Sequence, residues 1–370
     1  MERNRNYDLL RVVGMLFVIY YHGHEKPFGG TPLLFHALMV LLAAGNGLFF
    51  MMSGRFNLQH RFTGPADYRE FYAKKAITIL FPYVVMSLVF TLWTSLTGQT
   101  AEPLRLGNYL RNAFLDLCYR NAATHLWFMY VLIGILVITP FLAKLFQSLK
   151  DYELKLFIGL CLCWNMVSTF LVQDGLVYRL LGGDPGAIQP GFAYDAFILS
   201  DWIDAFLFGY FAYRLIRKEM LSRIVAVGMV GFLTEVLGKT FLNDSYKNWD
   251  NFAPAYLVFF PMVYSLFVYG WKIRDNAFGK VIGFLAKHSY MIYLVHWYVN
   301  IYIFEHRLID TGIIGLNFIL IGAATFAVSL GISIVLNELL FFPVEGRLTK
   351  WLRQQAEQWR KETDEKEKIS

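Results

Sequence analysis

The chain has 370 residues, of which 56% are apolar and 17% charged, with a mean hydropathy of +0.42 and a net charge of +6. A soluble domain carries about 25% charged residues, so an ordinary water-soluble globule is excluded. The surplus of lysine and arginine forms no stripe with interleaved aromatics, so no nucleic-acid partner is expected.

A membrane-spanning helix needs roughly 17–25 mostly apolar residues. Runs of that kind cover residues 7–25, 33–52, 76–96, 126–146, 156–172, 196–213, 224–242, 252–271, 281–304 and 316–342. The predicted fold is therefore an all-α, polytopic bundle of about ten transmembrane helices. Residues 1–346 form the membrane domain, and 347–370 a cytoplasmic, amphipathic, basic tail. The first run holds Asp8 and Arg11 and is the least apolar. It follows a short basic start, as a secretory signal does. The small-residue cleavage site is missing and His22-Gly23-His24-Glu25 stands there instead, so a retained first helix is expected.

Lysine and arginine concentrate in cytoplasmic loops. With the N-terminus inside, 26 of the 34 such residues fall on the cytoplasmic side. This alternation predicts both termini in the cytoplasm of a multi-pass cell-membrane protein. The two largest outer loops are 97–124 and 173–195. The second has turn formers (Gly182-Gly183-Asp184-Pro185-Gly186) and mostly acidic charge. In the tail, Leu348, Trp351, Leu352 and Trp359 fall near one helical face, which suits a helix on the inner membrane surface. Cys118, Cys161 and Cys163 are odd in number, so no paired framework follows; Cys161 and Cys163, two apart in an apolar run, read as buried small side chains. No Cys/His spacing suits zinc, so neither a metal nor a tightly bound cofactor is expected.

The chemistry is carried by few residues. Arg11 and His22 are separated by ten uncharged residues. Eleven helical steps bring both to one face, about 16 Å apart along the axis. Ionisable groups inside a span usually face the bundle interior or a water-filled cavity. The bland alternative is that Arg11 reaches the inner headgroups and His22 ends a helix. The second run closes with Gly45-Asn46-Gly47-Leu48-Phe49-Phe50-Met51-Met52-Ser53-Gly54-Arg55. Its glycines permit close helix approach. Arg55 lies at the depth of Arg11, where two arginines suit an anionic phosphorylated ligand; simple positive-inside anchoring explains Arg55 equally well.

His125-Leu126-Trp127-Phe128-Met129-Tyr130 opens the fourth span, where His125 and Trp127 suit a sugar ring or an interfacial aromatic belt. Phe206-Leu207-Phe208-Gly209-Tyr210 lies in the sixth. Ser289-Tyr290-Met291-Ile292-Tyr293-Leu294-Val295-His296 lies in the ninth, with Tyr293 and His296 on a similar face. Glu235 and Lys239, four apart, read as a structural pair. Asp201 and Asp204 are candidate acceptor contacts.

Together these stretches resemble the membrane-bound acyltransferase-3 family. Arg-x10-His in the first span, followed by a glycine-containing span ending Phe-x-x-Ser-Gly, is the most specific part. The resemblance implies transfer of an acyl group, often acetyl from acetyl-CoA, to a hydroxyl of a sugar or other extracytoplasmic acceptor. It makes His22 the catalytic histidine and Arg11 a donor-binding residue, with Ser53 and Gly54 as the second motif. Arg55 stands where an aromatic residue is common. No esterase-like domain of the kind fused to some members follows in the sequence, so a partner acyltransferase or glycan-assembly protein is expected beside membrane lipid. A secondary exporter of a glycan or lipid precursor, or a non-enzymatic sensor on the same scaffold, are the rival classes. Exporters often show two pseudo-symmetric halves, and none is visible here.

Overall fold

The computed structural model describes residues 4–23, 32–97, 105–119, 123–167, 202–241 and 254–369. Helices dominate them, and no strand occurs among the described residues. In chain order the helices are α1 (Arg5–Tyr21), α2 (Pro32–Asn57), α3 (Pro65–Lys75), α4 (Phe81–Leu96), α5 (Leu106–Cys118), α6 (Trp127–Ser148) and α7 (Asp151–Val167). They continue with α8 (Trp202–Leu215), α9 (Leu221–Phe241), α10 (Pro254–Tyr269), α11 (Ala277–Glu305), α12 (Ile314–Leu336) and α13 (Phe342–Ile369). Continuous helical segments long and apolar enough to cross a membrane are Pro32–Asn57, Pro65–Leu96, Thr124–Ser148, Lys218–Phe241 and Ile314–Glu357. The chain is thus a multi-pass membrane protein. The expected outer loop 173–195 lies outside the described residues.

The chain forms two compact units. The first comprises Met1–Gln59, Leu145–Lys287 and Asp310–Leu320; the second His60–Lys144, His288–Ile309 and Ile321–Ser370.

In the first unit α2 is the central element, and glycines set its contacts. Lipid gives apolar helices little reason to associate, so close backbone packing supplies the attraction. A Cβ on Gly45 would lie 2.8 Å from the Gly14 carbonyl oxygen of α1. A Cβ on Gly54 would overlap the Phe206 carbonyl of α8, and one on Gly209 would overlap the Met51 carbonyl. The Phe206–Tyr210 stretch is therefore the partner of the Ser53-Gly54 stretch, joined to it backbone to backbone. Gly228 and Gly231 play the same part between α9 and α10, where Met262 and Ala255 approach them.

The start of α1 is latched. Asn6 is buried; its side-chain amide donates to the carbonyls of Val268 (2.9 Å) and Trp271 (2.7 Å), and its oxygen accepts from the Ile273 amide (2.9 Å). Asp8, at 3% exposure, pairs with Arg5 at 3.4 Å, and Arg5 reaches Asp275 at 2.8 Å. The hydrogen bond to Asp275 raises the Arg5 pKa further above its ordinary value. Asp8 is neutralised locally, which is how a carboxylate is tolerated there.

In the second unit, two π-helical turns interrupt long helices: Ala76–Leu80 between α3 and α4, and Asn337–Phe341 between α12 and α13. Such turns widen the backbone ladder and often mark functional positions. Tyr290 donates to the Ile79 carbonyl (2.8 Å) inside the first. His288, fully buried, meets Asn337 of the second at 3.0 Å and Ser333 at 3.3 Å.

Three expectations are corrected. The 97–124 loop contains a helix, α5, because Leu106, Leu110 and Phe114 recur at helical spacing and form an exposed apolar stripe. Its other side is tied down by Tyr109 to the Leu88 carbonyl (3.2 Å), and by Tyr130 to the Asp116 carbonyl (2.6 Å). The tail face is divided: Leu352 and Ala356 are buried, whereas Leu348 and Trp351 are exposed, because α13 packs against α3. The side chain of Trp359 lies outside the described residues. Of the cysteines only Cys161 is buried, while Cys118 and Cys163 are exposed.

Candidate active site

The first unit gathers a cationic and aromatic cluster around Arg55. Arg55 ends α2, and the helix turn before it is fixed by the Gly54–Phe206 contact. Its guanidinium lies 3.2 Å from the centroid of the Tyr213 ring and 5.6 Å from that of Phe56. Its Nε donates to the Tyr7 hydroxyl at 3.3 Å, and the Tyr264 hydroxyl donates to the same oxygen at 3.3 Å. Tyr7 also packs edge-on against Phe56, with centroids 5.1 Å apart.

Arg11 joins this cluster. It is one helical turn beyond Tyr7 on α1, and its guanidinium carbon lies 5.7 Å from the Phe56 centroid. Both arginines thus flank one aromatic ring. Among the described residues no carboxylate pairs with Arg55. A half-buried guanidinium with its planar fork available, stacked on aromatics and held at Nε, is a ready anion site.

His22 stands at the other end of the same helix. It caps α1, with its amide bonded to the Val18 carbonyl at 3.2 Å, and is half-buried. The end of α1 is pinned by Tyr20, whose hydroxyl donates to the Ile319 carbonyl (3.2 Å) and whose ring packs on Phe318 (5.3 Å). Ser53 is half-buried, and its carbonyl accepts from the Asn57 side chain at 2.7 Å. Gly54 is buried against α8, so it acts on a ligand only through the position it gives Arg55.

The second unit brings His125, Tyr293 and His296 together. His125 sits in the turn Thr124–Leu126 ahead of α6 and is buried. The Tyr293 hydroxyl donates to the His125 carbonyl at 2.5 Å, and the His125 ring meets the Leu294 carbonyl through Nε2 at 3.2 Å. The two imidazole centroids are 4.9 Å apart, and Trp297 stacks on His125 at 5.9 Å. His296 is fully buried, with Nδ1 2.6 Å from the Tyr293 carbonyl. Trp127 is half-buried at the start of α6, beside Phe128.

Of the remaining candidates, Asp204 is buried in the first turn of α8, and Asp201 lies outside the described residues. Glu235 and Lys239 form an ion pair at 3.6 Å, with Glu235 at 1% exposure.

Tyr7, Phe56, Tyr213, Tyr264 and Trp297 were not singled out by sequence. Tyr7 was within reach: it precedes Arg11 by four positions and so shares its face. Tyr213 and Tyr264 come from distant helices, and no spacing within α1 or α2 announces them.

An acyltransferase domain family model matches residues 4–338, nearly the whole chain. No curated protein and no solved structure matches it.

Proposed function

The chain belongs to the acyltransferase-3 family of membrane proteins, and on that premise we propose that it moves an acyl group, acetyl in the first instance, from cytosolic acyl-CoA to a hydroxyl of an extracytoplasmic glycan or similar acceptor. The observation that carries this reading is the arrangement along α1. Two arginines flank Phe56 near its start, and His22 caps its end.

Acyl-CoA is strongly anionic and enters from the cytoplasm. In the proposed topology about ten spans cross the cell membrane, with both termini inside. Arg11 and Arg55 then face the donor, with Ser53 beside them. His22 lies about 16 Å further along the helix. There, neutral His22 takes the acceptor hydroxyl proton as its oxygen attacks the thioester carbon. The carbon–sulfur bond breaks, the new ester leaves with the acceptor, and the proton passes to the departing thiolate. His125, Trp127, Tyr293 and His296 are the proposed acceptor contacts.

The test is turnover of labelled acetyl-CoA by purified protein in lipid nanodiscs. Wild type should release CoA and transfer or hydrolyse the acyl group. His22→Ala should lose that activity while keeping its melting temperature. A well-folded His22→Ala variant with most of its activity would remove His22 from the mechanism. An inert wild type that merely binds acyl-CoA would make the chain a sensor.

A further inference from the structure

A groove lies between α7, α8, α9 and α10 in the first unit. It holds about 290 Å³. Its walls are apolar: Ile158 of α7, Phe211 and Leu215 of α8, Val227 of α9, and Leu257 and Pro261 of α10. Val227 is 54% exposed, and Val230, Leu233 and Leu237 continue that exposed apolar surface along the same candidate span. The groove therefore opens sideways, toward lipid.

Its mouth is basic. Arg223 lines the groove itself. Arg217 and Lys218 are exposed in the turn from α8 into α9. Lys155 is exposed one turn before Ile158 and shares its face of α7. Arg214 is already committed, to Asp151 at 2.9 Å and to the Phe146 and Leu149 carbonyls. Lys155, Lys218 and Arg223 form no ion pair among the described residues, so their charge is open to a ligand. Glu219 is the one carboxylate in the 216–220 turn. The mouth lies at the same end of the unit as Arg55, because Leu215 follows directly on Tyr213 and Arg214, and Tyr213 is the ring that Arg55 covers. In the proposed topology that end is cytoplasmic, where the leaflet surface carries anionic lipid.

We infer that this groove is a binding site for an anionic phospholipid of the cytoplasmic leaflet, with an acyl chain between α8 and α9 and the headgroup phosphate held by Arg223, Lys155 and Lys218. The tail selects for lipid and the mouth selects for charge; a zwitterionic phospholipid offers the same tail without the net charge. The site is on the back of the helix that braces Arg55. Gly209 and Tyr213, four apart on one face of α8, meet Met51 and Arg55, whereas Phe211 and Leu215 line the groove. A chain in the groove supports α8 from behind. Lipid binds there whether or not acyl transfer occurs, so the inference stands apart from that reading.

The experiment titrates the full chain, purified in detergent, with dioleoyl phosphatidylglycerol or dioleoyl phosphatidylcholine, read by native mass spectrometry and melting temperature. Wild type should bind phosphatidylglycerol on the order of tenfold more tightly than phosphatidylcholine, and its melting temperature should rise with the bound lipid. Arg223→Gln and Lys155→Gln should each weaken phosphatidylglycerol binding about fivefold. Val227→Trp, at an exposed position, fills the groove and should remove the response to phosphatidylglycerol while the lipid-free melting temperature holds. Lys280→Gln, an exposed cation of α11 outside the groove, is the control and should change nothing. Equal affinity for the two lipids, equal losses in Lys280→Gln and Arg223→Gln, or full binding by a folded Val227→Trp variant overturns the inference, because the attraction is then diffuse. Palmitoyl-CoA also carries a tail and phosphates. If it binds in a manner that Val227→Trp abolishes, and phosphatidylglycerol does not saturate, the groove belongs to an acyl donor and the inference fails.

Discussion

The carbonyl oxygen of Phe206 occupies the place where a side chain on Gly54 would begin. The contact is backbone on backbone, so no rotamer change relieves a substitution there. Gly54→Ala should destabilise the first unit by about 1–3 kcal/mol or more. It should also disturb Arg55, the next residue. Gly134→Ala is the control, since open space surrounds that position. Unfolding midpoints in detergent measure both. Equal midpoints for Gly54→Ala and wild type would contradict the close contact.

Asn6 holds the start of α1 through three hydrogen bonds to the 268–273 segment. A net hydrogen bond is worth about 1 kcal/mol, and unsatisfied partners add to the loss. Asn6→Ala should lower stability by about 2–3 kcal/mol and weaken donor binding, because Tyr7 and Arg11 follow on the same helix. Asn6→Asp keeps the shape but sets a buried carboxylate oxygen against the Val268 and Trp271 carbonyls, so it should cost at least as much as Asn6→Ala. A variant as stable as wild type would show that the latch is dispensable.

Donor and acceptor effects should separate. Loss of a charge-assisted bond costs about 1.5–3 kcal/mol, or about ten- to a hundred-fold in affinity. Arg11→Ala and Arg55→Ala should weaken acyl-CoA binding on that scale. Trp127→Ala should leave it nearly unchanged and reduce acceptor use. Titration of acyl-CoA without acceptor isolates the first step. Equal damage from Trp127→Ala and Arg11→Ala would end the division of roles.

The proposed topology is open to direct labelling. Ser370 and Gly186, both outside the described residues, receive single cysteines in a chain whose own three have been replaced. An impermeant thiol reagent added to intact cells should modify Gly186→Cys and spare Ser370→Cys. Modification of Ser370→Cys from outside would reverse the orientation.

Hydropathy runs and glycine placement made the helical membrane class legible from sequence. The glycines of α2 were visible as contact formers, but their partners were not. That Gly54 meets Phe206 is a relation between residues about 150 positions apart, and no periodicity within either helix encodes it. The arginines of the candidate site stood out because charge in an apolar run is costly. The aromatics that cage Arg55 did not, since Tyr213 and Tyr264 sit in aromatic-rich runs where any ring passes for packing surface. Helix α5 was hidden by its composition: with Leu106, Leu110 and Phe114 on one side only, it is too polar to read as a span and too short to be sought as one. The π turns leave no mark in the hydrophobic pattern at all.

Helix α5 also bears on how the protein sits in its bilayer. Its apolar stripe faces outward, while Tyr109 and Tyr130 bind it to α4 and α6. A helix of this kind seeks the boundary between headgroups and acyl chains. Its depth is then set by the lipid, and the bonds to α4 and α6 pass that depth on to the turn carrying His125. Bilayer thickness becomes an input to the second unit: thinner or thicker membranes shift α5 relative to the spans it is tied to, at a cost of fractions of a kcal/mol per Å. The lipid around this protein is in that sense part of its calibration.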